Sequence, residues 1–336
     1  MAKDQKTAMA DPMIDIVAMG DAIVDVIASC DDAFLDAHRL PKGSMQLLTP
    51  ADGDALYAAM GQAREMSGGS AANSMAGIAA MGGSSAFIGQ VADDQLGEIF
   101  AHDMRALGVR FDTPPLAGGV PTGRCLILVT PDAQRTMNTC PGASHLLAVA
   151  ALDEALIASA AILYLEGYLW GPEKPRAAML KAVEIAHRAG REVAFTLSES
   201  VCIAGRREGF AAMIDGGGID LLFANQDEAL QLTGRADPDS ALSELAAKVS
   251  TLVVTRGADG ATAIANGERI SIPAAPVVNV VDTTGAGDLF AAGFLAARAR
   301  NASLERCLWT GAIAAGEVIK HYGARPIVDL KTLVQL

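Results

Sequence analysis

The chain has 336 residues, a net charge of −13, 51% hydrophobic residues and 34 glycines, but only 4% aromatic residues. This composition supplies a core for one large or two smaller domains, and it excludes a general binder of nucleic acid or anionic membranes, because no cationic surplus is present to neutralise phosphates. One bound nucleotide stays compatible, since backbone amides and Mg²⁺ can carry its charge. The five cysteines, Cys30, Cys125, Cys140, Cys202 and Cys307, are scattered, odd in number and without a C-x-x-C pair. They argue against a disulfide framework or zinc site and for a reducing compartment. No run approaches the ~20 apolar residues of a membrane span, and no apolar signal core follows the first residues. A cytoplasmic location and a mobile tail over residues 1–13 are expected, followed by a single domain over 14–336.

In chain order, 14–20 reads as a buried strand, and 21–28 continues extended and apolar with two acids, Asp21 and Asp25. In an open α/β sheet, ligands collect at the carboxyl ends of strands, so both acids are candidate ligand groups; turn caps are the alternative. Residues 31–65 read as polar with helix-like patches. Gly68 and Gly69 then open a small-residue helix over 67–82. These glycines can expose backbone N–H groups, and Asn73, one turn in, offers both a donor and an acceptor. Helix packing accounts for Ala76, Gly77 and Ala80 but not for Asn73. A strand over 86–91 and a helix over 95–107 follow. Residues 109–142 read as a β-rich excursion, with a strand over 125–129. Excursions of this kind often act as lids. The lid is expected from about 21–50 and 110–140, where Arg124 and Arg135 are placed to reach a phosphate or to lie solvated.

Beyond residue 150, strands over 161–165, 193–197, 221–224 and 251–255 alternate with helices near 173–189, 226–233, 239–249, 288–300 and 303–321. Such alternation predicts βαβ units and a mostly parallel, doubly wound sheet covered on both faces. The strand ends carry the polar groups: Glu166, then Asn225 with Glu228, then Thr255 to Gly260, then Asp282 to Asp288. Asn225 and Glu228, three apart, either serve phosphates and a Mg²⁺-bound water or form a capping box.

The last of these stretches organises the chain. An extended run over 270–280 leads into Asp282-Thr283-Thr284-Gly285-Ala286-Gly287-Asp288, and a small-apolar helix follows. Gly285, Ala286 and Gly287 thus sit at a helix N-terminus, where free N–H groups and the helix dipole favour an anion. A carboxylate at Asp288 opposes an anion unless it removes a proton from a hydroxyl attacking that anion. A plain capped helix is the alternative for this motif taken alone.

No P-loop, H-E-x-x-H or G-x-S-x-G motif occurs. Gly285-x-Gly287-x-x-x-Ala291 resembles a dinucleotide fingerprint, but that reading requires a second strand and an acid about 20 residues on. A second helical pattern follows instead.

Taken together and in order, these motifs resemble those of the ribokinase-like (PfkB) family of carbohydrate and nucleoside kinases, over roughly residues 14–328. The resemblance implies a doubly wound α/β domain with a small β lid, an ATP-dependent kinase using Mg²⁺ and, in some members, K⁺, and a monomer or homodimer. It implies that Asp288 is the base and that Gly285, Ala286 and Gly287 form an anion hole. Asp21, Asp25, Gly68, Gly69, Asn73 and Glu166 would contact the acceptor. Asn225, Glu228, Thr255, Gly257, Gly260 and Gly287 would serve ATP, with Glu228 holding Mg²⁺ through water and Asp282 and Thr284 matching a monovalent-cation loop. Gly-Gly-Ser-x-x-Asn-Ser and Tyr164 to Tyr168 look like adenosine kinases. Asp21 and Thr284 stand where those tend to carry Asn, and Glu166 is nearer to the acid of ribokinase-type sugar kinases. A nucleoside, adenosine first, is the expected acceptor, with ribose or fructose next and a non-catalytic sensor on the same fold as the other-class alternative.

Overall fold

The computed structural model describes residues 13–132 and 134–336. The expected tail therefore lies outside the described residues except for Met13, which donates its N–H to the Ser159 carbonyl at 2.9 Å.

Strand β1 (Ile14–Met19) is an interior strand of the chain's main sheet. Its residues alternate between two cores, with Ile16 and Ala18 on one face and Val17 and Met19 on the other. This two-sided burial is why the strand reads as a continuous apolar run. The next strands are β2 (Ile23–Ser29), β3 (Met45–Leu47) and β4 (Ala63–Gly68). They are followed by β5 (Ser85–Ile88), β6 (Val109–Arg110), β7 (Gly123–Val129) and β8 (Arg135–Cys140). The second half supplies β9 (Ala160–Glu166), β10 (Glu192–Thr196), β11 (Leu221–Asn225) and β12 (Thr251–Thr255). A final hairpin is formed by β13 (Ala261–Ala265) and β14 (Glu268–Ile272).

The main sheet has the order β14-β13-β12-β11-β10-β9-β1-β5-β6. It is parallel from β6 to β12 and antiparallel only at the β13–β14 edge. The helices Ser70–Ala80, Ala286–Ala299 and Leu304–Val318 cover one face, and Glu173–Arg188, Arg207–Asp215 and Pro238–Ala246 cover the other. From β1 the chain winds first toward β5 and β6, then returns to the opposite side at β9. The carboxyl ends of β1 and β9 therefore flank a switch point, where a crevice opens in folds of this kind.

A second sheet has the order β3-β8-β7-β2-β4. One of its faces joins the main core through Val24, Val26, Leu126 and Leu128. Its other face presents a small separate cluster of Ile23, Cys125 and Ile127, with Met137 against it. The stretch read as helix-like, 31–65, includes β3 and the start of β4 as well as the helices Asp32–Ala37 and Pro50–Ala59. β4 exists because it pairs antiparallel with β2 from Ala28↔Ala63 to Ile23↔Gly68, a partner no local pattern announces. The extended run expected over 270–280 is strand only to Ile272. Pro273 and Pro276 follow, and neither can donate to a ladder.

Candidate active site

The carboxyl ends of β1, β9, β11 and β12 open into one cavity of about 1230 Å³, closed on another side by the second sheet. At its centre stand the N-termini of two helices, Ser70–Ala80 and Ala286–Ala299. Both begin with a left-handed or near-left-handed glycine. Gly69 has φ +93°, and a Cβ there would lie 2.3 Å from the Asp21 carbonyl oxygen. Gly285 has φ +77°, and a Cβ there would lie 2.5 Å from that of Ala324. No other residue fits either position without backbone movement. Neither helix has a side-chain cap. At the second one, Ala286 and Leu289 donate to Thr283 and Gly285 carbonyls, while the N–H groups of Gly287 and Asp288 have no acceptor among the described residues. Gly287 faces open space. Free donors at a positive dipole end make this a seat for an anion.

Asp288 joins the two helices. Its Oδ1 accepts from the Ser70 hydroxyl at 2.6 Å and its Oδ2 from Asn73 Nδ2 at 2.9 Å, while the Ser74 hydroxyl donates to its carbonyl at 3.0 Å. Burial raises its carboxyl above the usual range, against the opposing pull of Ser70, Asn73 and the Arg325 charge. Asn73 thus serves the carboxylate directly. Asp25, partly buried on β2, packs over Gly68, where a Cβ would lie 2.4 Å from the Asp25 carboxyl carbon. Burial pushes Asp25 up to about 6, eased by Arg325 and Arg135 and worsened by Asp288.

Glu166 is fully buried, and both its oxygens accept backbone N–H groups: Oε1 from Asp21 and Oε2 from Ala71, each at 2.6 Å. It ties the end of β1 to the first turn of the Ser70–Ala80 helix, and it also lines the cavity. Burial and the neighbouring Asp21 hold its carboxyl well above the ordinary value. Asp21 is buried as well, and its Oδ1 has no hydrogen-bond partner among the described residues and lies 3.9 Å from His145 Nε2. An orphaned acceptor lining a cavity is poised for a donor from a ligand.

On the β11–β12 side, Asn225 and Glu228 form the capping box. Asn225 N–H and Nδ2 donate to Glu228 at 2.9 and 2.8 Å, and Glu228 N–H donates back to Asn225 Oδ1 at 2.8 Å. Both residues still line the cavity, as do Thr255, Arg256 and Gly257. Burial pushes Glu228 up to about 7, with Glu199 and Asp227 adding to the rise. Thr284, Gly285, Gly287 and Asp288 line the cavity too, whereas Gly68, Gly260, Asp282 and Ala286 stand behind its wall. Gly260 packs against the backbone that follows β14.

Arg124 is engaged elsewhere, paired with Asp54 and lying 5.3 Å over the Tyr57 ring. Arg135 is buried against Asp282 at 2.6 Å. Sequence reasoning missed Arg325 altogether. Its Nη1 donates to the Ala72 carbonyl at 2.8 Å and its Nη2 to the Ser67 carbonyl at 2.9 Å, beside Asp25 and Asp288. Only the isolated cation in a loop after the last long helix marks it in the sequence. Among the described residues no group of three His, Cys, Asp or Glu could cage a metal ion, and no helix is long and apolar enough to cross a membrane.

Residues 13–330 match the family described as pfkB family carbohydrate kinase. The adenosine kinase of Sinorhizobium meliloti superposes with a TM-score of 0.90 and 46% identity, over 96% of this chain and 98% of that one. A ribokinase of Arabidopsis thaliana is 26% identical over 98% of this chain and 84% of its own length. A fructokinase of Klebsiella pneumoniae is 29% identical over 76% of this chain and 84% of its own length. A glycine-opened anion seat beside a helix-bridging carboxylate is thus carried on a fold shared along nearly the whole chain, and the protein belongs to the pfkB carbohydrate kinase family, phosphotransferases that act on sugar or nucleoside hydroxyls.

Proposed function

We propose that this protein transfers the γ-phosphoryl group of ATP to a primary hydroxyl of a nucleoside, adenosine in particular, in the cytoplasm. The observation that carries the nucleoside assignment is the underside of the second sheet. Ile23, Met45, Leu47, Cys125, Ile127 and Met137 all line the cavity there. A nucleobase offers broad apolar faces to such a wall. A simple sugar carries hydroxyls on all sides, and burying one of them against six apolar side chains without a partner costs roughly 1–3 kcal/mol. The polar acceptors are few and local: Asp25, which shares that face with Ile23 and stands in register with Cys125, and Asp21 just past the end of β1, where a ribose would present its hydroxyls. The 46% identity to the Sinorhizobium meliloti adenosine kinase supports the same choice.

In this reading the attacking hydroxyl sits at Asp288, which takes its proton as the oxygen reaches phosphorus in line. The N–H groups of Gly287 and Asp288, with the helix dipole, stabilise charge on the transferred group. ATP lies toward Asn225, Thr255, Arg256 and Gly257. Mg²⁺ carried with the nucleotide spreads the phosphate charge. Glu228, a buried acid among acidic neighbours with no cationic partner among the described residues, fits the role of holding one of its waters. The second sheet acts as the lid that excludes water.

Release of ADP from MgATP, measured with adenosine, other nucleosides, ribose and fructose, tests the assignment. The highest kcat/KM is expected with adenosine. A sugar winning by tenfold or more overturns the nucleoside reading, and no stimulation by any acceptor leaves the non-catalytic sensor.

A further inference from the structure

Asp282 opens the loop that ends in the free N–H groups of Gly287 and Asp288. A monovalent cation bound here would need several oxygen atoms turned toward one point. The polar groups around the Asp282 carboxylate are instead donors. Its Oδ1 accepts from the Thr284 N–H at 3.1 Å and the Thr284 hydroxyl at 2.8 Å. Its Oδ2 accepts from the Gly323 N–H at 2.9 Å and from Arg135 Nη2 at 2.6 Å. Both side chains of this ion pair are nearly sealed from solvent, at 8% for Arg135 and 7% for Asp282. The carboxylate's lone pairs are therefore filled and its charge is matched. A K⁺ ion added beside a buried guanidinium would meet like charge in a poorly screened setting. The residues present do not fit a K⁺ site.

We infer that Arg135 is a tethered cation that stands in for a monovalent metal ion at the anion-binding loop, so that this enzyme works without K⁺. The inference rests on the kinase reading above. Its second consequence is mechanical. Arg135 belongs to β8 of the second sheet, whereas Asp282, Thr284 and Gly323 belong to the main body. Arg135 Nη1 lies 3.4 Å from the Thr284 hydroxyl, and the guanidinium lies 5.7 Å over the Tyr322 ring. A freely diffusing ion orders the loop whether or not the lid is down. Arg135 orders it only when the second sheet lies over the site, so the anion seat is complete only in the covered enzyme. Arg135 is a positioning residue in this scheme, acting through Asp282 and Thr284.

The test compares turnover in KCl, NaCl and choline chloride at equal ionic strength, with thermal melting in the same salts as a readout independent of catalysis. The wild-type protein is expected to turn over equally, within about twofold, and to melt at one temperature in all three. Arg135→Ala is expected to lose at least tenfold in kcat, to recover several-fold in KCl or in millimolar guanidinium, and to melt higher in KCl than in choline chloride. Arg135→Lys, which keeps a charge on the same strand, is expected to stay salt-indifferent. A wild-type enzyme that needs K⁺, or an Arg135→Ala protein indifferent to salt in both readouts, overturns the inference. Absence of turnover with every acceptor in every salt sinks the kinase reading instead, and the melting comparison still decides the role of Arg135.

Discussion

In the proposed mechanism Asp288 is a base held by two donors, and both donors come from the helix opposite. Burial raises its affinity for a proton, and the hydrogen bonds from Ser70 and Asn73 limit that rise by favouring the ionised form. Asp288→Asn keeps the shape and removes the basicity. It is expected to lower kcat by about 10²–10⁴, the ordinary range for a general base, with acceptor affinity within a few-fold. Pre-steady-state and steady-state ADP release check this, and a kcat near wild type rejects the assignment.

Asp25 illustrates a cost in stability at the same scale. Its folded-state carboxyl lies at about 6 against an ordinary 3.8. Between those values the folded chain keeps a proton that the unfolded chain has released, so stability falls as pH rises through this window. Above it, the ionised Asp25 weighs against the folded state by on the order of 1–3 kcal/mol. Asp25→Asn is therefore expected to raise the melting temperature at pH 7.5 by a few degrees, with a smaller gain at pH 5, while raising the acceptor KM at least tenfold. A variant that melts lower at pH 7.5 contradicts the burial argument.

At the scale of elements, the site depends on how the Ser70–Ala80 helix is held. Glu166 fixes its first turn from below, Asp288 from the neighbouring helix, and Arg325 through the carbonyls of Ser67 and Ala72. Removing Arg325 leaves two carbonyls without their donors and two carboxylates without their shared cation. Arg325→Gln is expected to destabilise the fold by about 3–5 kcal/mol, as breaking a buried pair does. Loss of the positive charge also raises the Asp288 pKa further. The acid limb of kcat/KM then moves to higher pH. Arg325→Lys keeps the limb near its wild-type place. A pH profile unmoved in Arg325→Gln limits Arg325 to packing. What the sequence discloses follows the same division. The Gly285 to Asp288 turn is local, so its helix-terminus chemistry can be read directly. Asn73 could be singled out as unexplained by packing, but its partner lies 215 positions away. Glu166 was readable as a strand-end acid, yet its service to two backbone amides depends on β1 and the Ser70–Ala80 helix meeting in space. Nothing local distinguishes Arg325 or Arg135 from a solvated surface cation.

At the scale of the molecule, the main sheet was legible because burial on both faces makes its strands continuous apolar runs. The second sheet was legible in part: β2, β3, β7 and β8 fall within the lid expected from 21–50 and 110–140, whereas β4, which pairs with β2, is too polar to announce itself. That same composition bears on motion. The main body buries two extensive cores, whereas the cavity-facing side of the second sheet has only Ile23, Cys125 and Ile127 as its buried cluster. Segments with few buried apolar contacts open at lower free energy than core strands do. On the proposed nucleoside reading, a nucleobase beneath this face would complete its packing, and the Arg135–Asp282 pair pins the sheet to the anion loop. Hydrogen exchange followed by mass spectrometry, with adenosine and a non-hydrolysable ATP analogue, is thus expected to show the largest gain in protection over 45–47 and 135–140. β9, β10 and β11 should change little, because they are already closed in the free protein. Protection confined to 255–260 and 285–288 would mean that the second sheet is a fixed wall, and that exclusion of water depends on ligand fit alone.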